Sequence, residues 1–447
     1  MTTLRLLSWV ALLSLGAAKA GAFEPAVEGR SPEAAQPFRL TIAHVNDTHL
    51  RVESRKVRVR LGLAERRVPT IVEIEIGGAQ RLGEAVAGVR RREENVLFLH
   101  GGDFLRSAWD FARSPADTDV ELWNRLGLNA AVLGNHEFDR GPEFLAAHFL
   151  CRARFPLVSA NIDVSREPAL SGSGRIHPYV IESCGGDQIG IVGLSLPGTA
   201  GMSRPGPHVR FEAAQPAVQR TVDLLRRRGV TKIILLSHQG YAADRALARK
   251  ISGVDIIVGG HTHTLLGGFD GFRWFSRAAY PARLADRDGN PVLIVQAGRW
   301  AEVLGILTVE FDRQGMIQAF SGTSPVLAGD SYFRVRLPGR GSAESRTVEF
   351  RFAENGSLAV VPSPGTDSAA AEASLVTAEL VDTTDYDLVF RELLRKTIAA
   401  LDRQEEILIV HDRPLAGEQL SLFTDTLEAE ERLRLSSAAA GRVPAAP

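Results

Sequence analysis

The feature that most constrains this chain is a recurrence: five times between Phe38 and His263, a short aliphatic run ends abruptly in a polar cluster of Asp, Asn, His, Ser or Gly. Phe38 to Val45 leads into Asn46-Asp47-Thr48-His49, and Val96 to Leu99 is followed, after His100, by Gly101-Gly102-Asp103. Ala130 to Leu133 leads into Gly134-Asn135-His136-Glu137-Phe138-Asp139. Lys232 to Leu236 leads into Ser237-His238, and Asp255 to Val258 into Gly259-Gly260-His261-Thr262-His263. Such runs, separated by helical stretches, predict strands alternating with helices in an α/β layered domain. In open α/β sheets the loops beyond the strands' carboxyl ends share one crevice, so these clusters are expected to share a site. Val292 to Gln296 and Leu304 to Phe311 are expected to complete the sheets.

The clusters hold five of the chain's 11 histidines. Taken alone, Asp47 and His49 read more readily as a turn Asp and a surface His than as a site. Gly134 to Asp139 is far more specific, because His136 and Asp139 are spaced so that one helical turn brings them together. Mixed Asp, Asn and His donors suit Zn, Mn, Fe or Co, and the absence of Cys from the clusters argues against a closed structural zinc site.

The order D-x-H, G-D, G-N-H-E-x-D, a lone His and G-H-x-H resembles the signature of calcineurin-like metallophosphoesterases. The form G-N-H-E-F-D, with Val158-Ser159-Ala160-Asn161-Ile162 after it, is similar to the 5′-nucleotidase family, and the resemblance spans Leu40 to Phe311. It implies a layered β-sandwich flanked by helices and a centre of two divalent metal ions, which can bind a phosphoryl oxygen and lower the pKa of a bound water toward about 7, making hydroxide the nucleophile at phosphorus. Carried over position by position, it implies one ion on Asp47, His49, Asp103 and His263, and another on Asp103, Asn135, His238 and His261, with Asp103 bridging. His136, oriented by Asp139, is then the catalytic imidazole. Asn135 and Arg106 are the expected phosphate contacts, although a solvated loop residue is the plainer reading of Arg106. His100 is expected beside the ligands or in the core, and His44, His148 and Phe104 in structural roles.

The rest of the chain bounds the setting. Arg5 followed by the apolar run Leu6 to Ala18 and small residues to Ala22 reads as a signal peptide over 1–22, which implies a periplasmic or secreted protein. A linker over 23–37 precedes a catalytic domain over 38–320. A formal net charge of -1 argues against a nucleic-acid polymer as partner, and no later apolar run reaches the roughly 20 residues of a membrane span. Past the Gly/Ser/Pro-rich stretch at Ser321 to Gly329, a smaller C-terminal α+β region is expected over 325–435. It would hold a hairpin of Val348 to Phe352 and Leu358 to Val361 around Asn355-Gly356, a linker from Ser363 to Ala373, a helix from Asp385 to Asp402, and a tail over 436–447. Cys151 and Cys184 leave buried free thiols and a disulfide equally open.

The resemblance has a gap: the arginines and paired aromatic rings with which 5′-nucleotidases clamp the base find no match in this C-terminal region. The expected partner is therefore a small-molecule phosphate ester, with nucleotides first. A phosphodiesterase or nucleotide-sugar hydrolase with the same centre is the alternative, and a metal-stabilised binding protein without turnover is a third.

Overall fold

The computed structural model describes residues 37–51, 53–63, 70–105, 116–267, 272–273, 278–328 and the strands at 333–337, 346–352, 358–361 and 375–380. The expected leader, Arg106, the 363–373 linker, the 385–402 helix and the 436–447 tail lie outside these residues.

The sandwich strands, in chain order, are β1 (Phe38–Val45), β2 (Val96–His100), β3 (Ala130–Val132), β4 (Leu157–Val158), β5 (Ile176–His177), β6 (Tyr179–Cys184), β7 (Asp187–Leu194), β8 (Lys232–Ser237), β9 (Ile256–Val258), β10 (Ala282–Ala285), β11 (Pro291–Val295), β12 (Gly305–Phe311) and β13 (Ile317–Thr323). One sheet of seven runs in the order β13-β12-β1-β2-β3-β4-β5, and the facing sheet of six runs β10-β11-β9-β8-β7-β6. From β1 to β5 the first sheet is parallel, as is β7-β8-β9-β11 in the second, while antiparallel strands close the edges.

Side chains alternate across a strand, and the sequence uses both faces. Leu40 and Ile42 of β1 point between the sheets with Leu97, Leu99, Ile234, Leu236, Ile256 and Val258. Ala43 and Val45 point outward instead, into a layer with Leu82, Val86 and Val89 of helix α1 (Ala79–Arg92) and Trp123 of α2 (Ala116–Leu126). On the second sheet Ile233 and Leu235 point outward under Val218, Val222 and Leu225 of α3 (Ala214–Arg227) and Leu247 of α4 (Tyr241–Ala248). The three-to-four-residue spacing of those helix residues makes one apolar stripe per helix. Truncating Ile42 or Leu236 to Ala would cost about 2–5 kcal/mol, since both are completely buried.

His44 is part of this core. Its Nε2 lies 2.7 Å from the Tyr280 hydroxyl, and burial drives its pKa down to about 3. Both cysteines are free thiols, but the expectation of buried thiols is corrected: Cys151 is exposed and Cys184 half-buried.

A hairpin of Arg55–Leu63 and Thr70–Ile76, absent from the sequence reading, joins Leu375–Leu380 and Phe272–Arg273 in a four-stranded sheet. Further along, Arg346–Phe352 and Leu358–Val361 pair antiparallel as the expected hairpin, with Phe333–Leu337 on the other side.

Candidate metal centre

The parallel strands of both sheets deliver their following loops to one place. Asp47 N–H donates to the Gly102 carbonyl at 2.9 Å and His49 N–H to the Asp103 carbonyl at 3.1 Å, so the loops after β1 and β2 stay laced together. Five of the seven expected ligands have left-handed backbones, with φ of 52° at Asp47, 51° at His49, 57° at Asp103, 72° at His261 and 48° at His263. Such conformations cost on the order of 1–3 kcal/mol each and persist where surrounding bonds over-determine them.

Those bonds can be named. Glu137, completely buried, accepts from the backbone N–H groups of Asp103 (3.1 Å), Phe104 (2.8 Å), Leu105 (3.1 Å) and Gly134 (2.6 Å). One carboxylate thus holds the β2 loop and the β3 loop together. A Cβ at Gly134 would collide with Asp103 Oδ1, so this approach needs glycine. Asn46 donates to Asp47 Oδ2 at 2.7 Å and to the Gly298 carbonyl, and accepts from Ala297 N–H at 2.8 Å. Gln296 donates to the Gly260 carbonyl and accepts from Thr264 N–H at 3.1 Å. Asp244 holds Ser237 at 2.6 Å and Gln239 at 3.1 Å, one on each side of His238. His100 accepts from Gly102 N–H at 3.1 Å through Nδ1, which leaves its Nε2–H to donate to Thr48 Oγ1 at 3.0 Å.

Inside this frame the expected ligands converge. His49 Nε2 lies 3.0 Å from His263 Nε2, and His263 Nε2 lies 3.4 Å from Asp47 Oδ1. His261 Nδ1 lies 3.0 Å from Asn135 Oδ1, and His238 Nε2 lies 3.0 Å from Asp103 Oδ2. Their donor atoms fall into groups able to hold a cation: Asp47 with His49 and His263, Asp103 with His238 and His261, and His49 with Asp103 and His136. Asp103 belongs to two of these groups.

The residues fit a metal on their own chemistry. His238 donates through Nδ1 to the Gly101 carbonyl at 2.7 Å, which turns the lone pair of Nε2 inward. That Nε2 is fully buried and, though close to Asp103, lacks the alignment of a hydrogen bond and has no other partner. His49 is set the same way, donating through Nδ1 to the Leu105 carbonyl at 3.1 Å. An orphaned inward nitrogen beside a carboxylate, as at His238, is what a divalent cation would satisfy.

At the edge of the cluster His136 Nδ1 lies 2.6 Å from Asp139 Oδ2, and His136 N–H donates to Asp103 Oδ1 at 3.0 Å. The short 3₁₀ turn His136–Phe138 creates this pairing. Burial works against a charge on His136, but the Asp103 charge and the Asp139 hydrogen bond and charge outweigh it, pushing its pKa up to about 10. Burial likewise opposes charge on His238, and Asp103 reverses that to about 9. His49 and His261, dominated by burial, drop to about 3 and about 4. The Asp103 carboxyl stays well below its ordinary range: burial would raise it, but His238 and His136 prevail.

Every expected ligand thus reaches the cluster, as do His136 and Asp139, while Arg106 lies outside the described residues. Phe104 is core, and His148 stacks on Phe144 at 4.5 Å. Sequence reasoning assigned nothing to Glu137, Asn46, Gln296 or Asp244. The signal for Glu137 lay inside the G-N-H-E-F-D run, but its partners are backbone groups some 30 residues away, which side-chain spacing does not reveal. A cavity of about 900 Å³ lined by Cys151, Arg152, Arg154 and Arg175 includes none of the cluster residues.

Comparison with known proteins agrees with this geometry. Residues 40–265 match the calcineurin-like phosphoesterase family. The chain is 37% identical to the 5′-nucleotidase of Bos taurus over 299 residues, 67% of this chain and 51% of that protein. It is also 37% identical to the snake venom 5′-nucleotidase of Gloydius brevicauda over 297 residues, 66% of this chain and 49% of the relative. It therefore spans about half the length of these curated relatives. Among solved structures, the 5′-nucleotidase precursor of Thermus thermophilus superposes with a TM-score of 0.59 at 40% identity, covering 65% of this chain and 55% of that one. The NAD nucleotidase of Haemophilus influenzae superposes with a TM-score of 0.62 at 28% identity, covering 70% and 54%. With strand order, ligand clusters and relatives in agreement, the chain belongs to the calcineurin-like phosphoesterase family.

Proposed function

We propose that this chain is an exported, metal-dependent hydrolase of small phosphate esters, with nucleotides as the first substrate class. The observation that carries the reading is Asp103, whose carboxylate is shared between two cation-holding groups while it also accepts the His136 N–H. Asp47, His49, Asp103 and His263 would hold one divalent cation, and Asp103, Asn135, His238 and His261 a second. When bound, such ions supply Lewis acidity toward a phosphoryl oxygen and acidify water at neutral pH.

The chain's own residues do the rest. His136, its Nδ1 committed to Asp139, offers Nε2–H to the departing oxygen or to a phosphoryl oxygen. The Asp139 carboxylate favours the protonated ring and fixes its plane. Glu137 keeps Asp103 and His136 in register by tying their two loops through four backbone N–H groups. Export rests on the leader-like 1–22 segment; no helix among the described residues is long and apolar enough to cross a membrane.

The test is a phosphate-release screen of the metal-replete full chain against nucleoside monophosphates, cyclic nucleotides, nucleotide sugars and plain phosphomonoesters. Turnover of the monophosphates supports the reading, preference for diesters or nucleotide sugars replaces the substrate class, and no turnover of any of them sinks it.

A further inference from the structure

The Val158 to Ile162 run supplies no expected ligand, yet its asparagine sits where the two sheets meet. Asn161 is completely buried and its carboxamide is fully used. Oδ1 accepts from Ser195 N–H at 3.0 Å and from Ser159 Oγ at 3.1 Å, while Nδ2 donates to the Ser195 carbonyl at 2.9 Å and the Glu212 carbonyl at 3.3 Å. Ser195, just past β7 of the second sheet, is also completely buried. Its hydroxyl donates across the sandwich to the Leu133 carbonyl at 2.6 Å, just past β3 of the first sheet. The two sheets come this close because a Cβ at Gly193 would collide with the Val158 carbonyl, and glycine has none.

The groups that Ser195 and Asn161 hold belong to two particular peptides. The Leu133 carbonyl shares its peptide plane with Gly134 N–H, which donates to Glu137 at 2.6 Å. That plane is therefore gripped at both ends, by a hydroxyl from the second sheet and by a carboxylate from its own loop. The Leu194 carbonyl shares its plane with Ser195 N–H, and it accepts from His238 N–H at 2.8 Å. One serine thus connects the backbone of His238 to the backbone just ahead of Asn135 and His136. Gly134 makes such a grip necessary: Asp103 leaves no room for a Cβ there, and glycine has the widest backbone freedom of any residue. Without both bonds the plane could turn and swing His136, and a displacement of about 1 Å can cost about 10² in rate. Packing alone does not ask for this polarity, since elsewhere the sheets meet through Leu99, Ile191 and Ile234, and burying polar groups is unfavourable unless each is bonded.

We propose that Ser195, held by Asn161, is a positioning residue that locks the Leu133–Gly134 peptide and thereby aims the His136 imidazole. This rests on the phosphoester-hydrolase reading above and extends it to residues outside the ligand set.

The test compares Ser195→Val with Ser195→Thr, close in volume and different in the hydroxyl, on the full metal-replete chain well below its melting temperature. Ser195→Val should lower kcat about tenfold or more, with KM changed less than about twofold and metal content at the wild-type level. Ser195→Thr should recover most of that loss. In a His136→Asn background Ser195→Val should cost less than about twofold more, because the imidazole it aims is gone. Independently of turnover, amide hydrogen exchange over residues 133–139 should be about tenfold faster in Ser195→Val than in Ser195→Thr, with α3 unchanged. Equal kcat in the two folded variants, an additive loss on His136→Asn, or equal exchange over 133–139 would each overturn the proposal. If the added methyl kept both variants from folding, Ser195→Ala against wild type makes the same comparison. If wild type hydrolysed no phosphate ester, the hydrolase reading would fail, while exchange over 133–139 would still decide whether Ser195 locks this segment.

Discussion

His136 Nδ1 and Asp139 Oδ2 stand 2.6 Å apart, and the same histidine's backbone N–H reaches Asp103 Oδ1 at 3.0 Å, so one residue couples a proton-holding pair to the centre of the ligand cluster. That coupling separates catalysis from metal binding.

His136→Asn should keep the metal content of wild type yet lower kcat by about 10² to 10⁴-fold, the usual range for a lost proton donor or charge stabiliser. Asp139→Asn should fall less, since its amide keeps part of the geometry. A nitrophenyl phosphate, whose leaving oxygen needs little protonation, should suffer less than a nucleoside monophosphate. Equal losses on both substrates would move His136 from the leaving group to the phosphoryl oxygens, and a stripped metal would redraw the ligand set.

Asp103→Ala should lose more metal than Asp47→Ala or His263→Ala, because its carboxylate serves two of the cation-holding groups. Elemental analysis of the three purified variants compares them directly. Retention of wild-type metal by Asp103→Ala would remove it from the centre of the account.

Glu137→Ala should destabilise the fold by about 3 kcal/mol or more and lower metal occupancy, since four backbone N–H groups would lose their shared acceptor in a dry site. Denaturant titration alongside metal analysis checks both. A variant with unchanged midpoint would mean that the two loops hold each other without it.

Away from the centre, burial pushes the Asp255 carboxyl up from 3.8 to about 7, although it accepts from Ile233 N–H at 2.7 Å. A folded pKa above the unfolded one means stability that is full below about pH 4 and falls as pH rises toward about 7. Asp255→Asn should therefore melt higher than wild type at pH 8, by on the order of 1 kcal/mol or more, and close to it at pH 4. A gap that did not grow with pH would contradict the buried-acid account.

The sequence made the centre legible because the expected ligands occur at strand ends in a fixed order, and strand direction then brings Asp47, Asp103, His238 and His263 together. Residues that act across the fold were hidden. Glu137 works on backbone groups far along the chain, and Asn46 and Gln296 brace peptide carbonyls. The 55–76 hairpin also escaped, because a two-stranded excursion between β1 and α1 interrupts the strand-helix alternation on which the reading relied.

The most direct test of the central claim is the metal content of the full chain measured together with phosphate release from a nucleoside monophosphate. The account predicts close to two divalent transition metals per chain, activity lost in chelator, and activity restored when metal is returned. A metal content near zero after growth in metal-rich medium, with turnover undiminished by chelator, would contradict it.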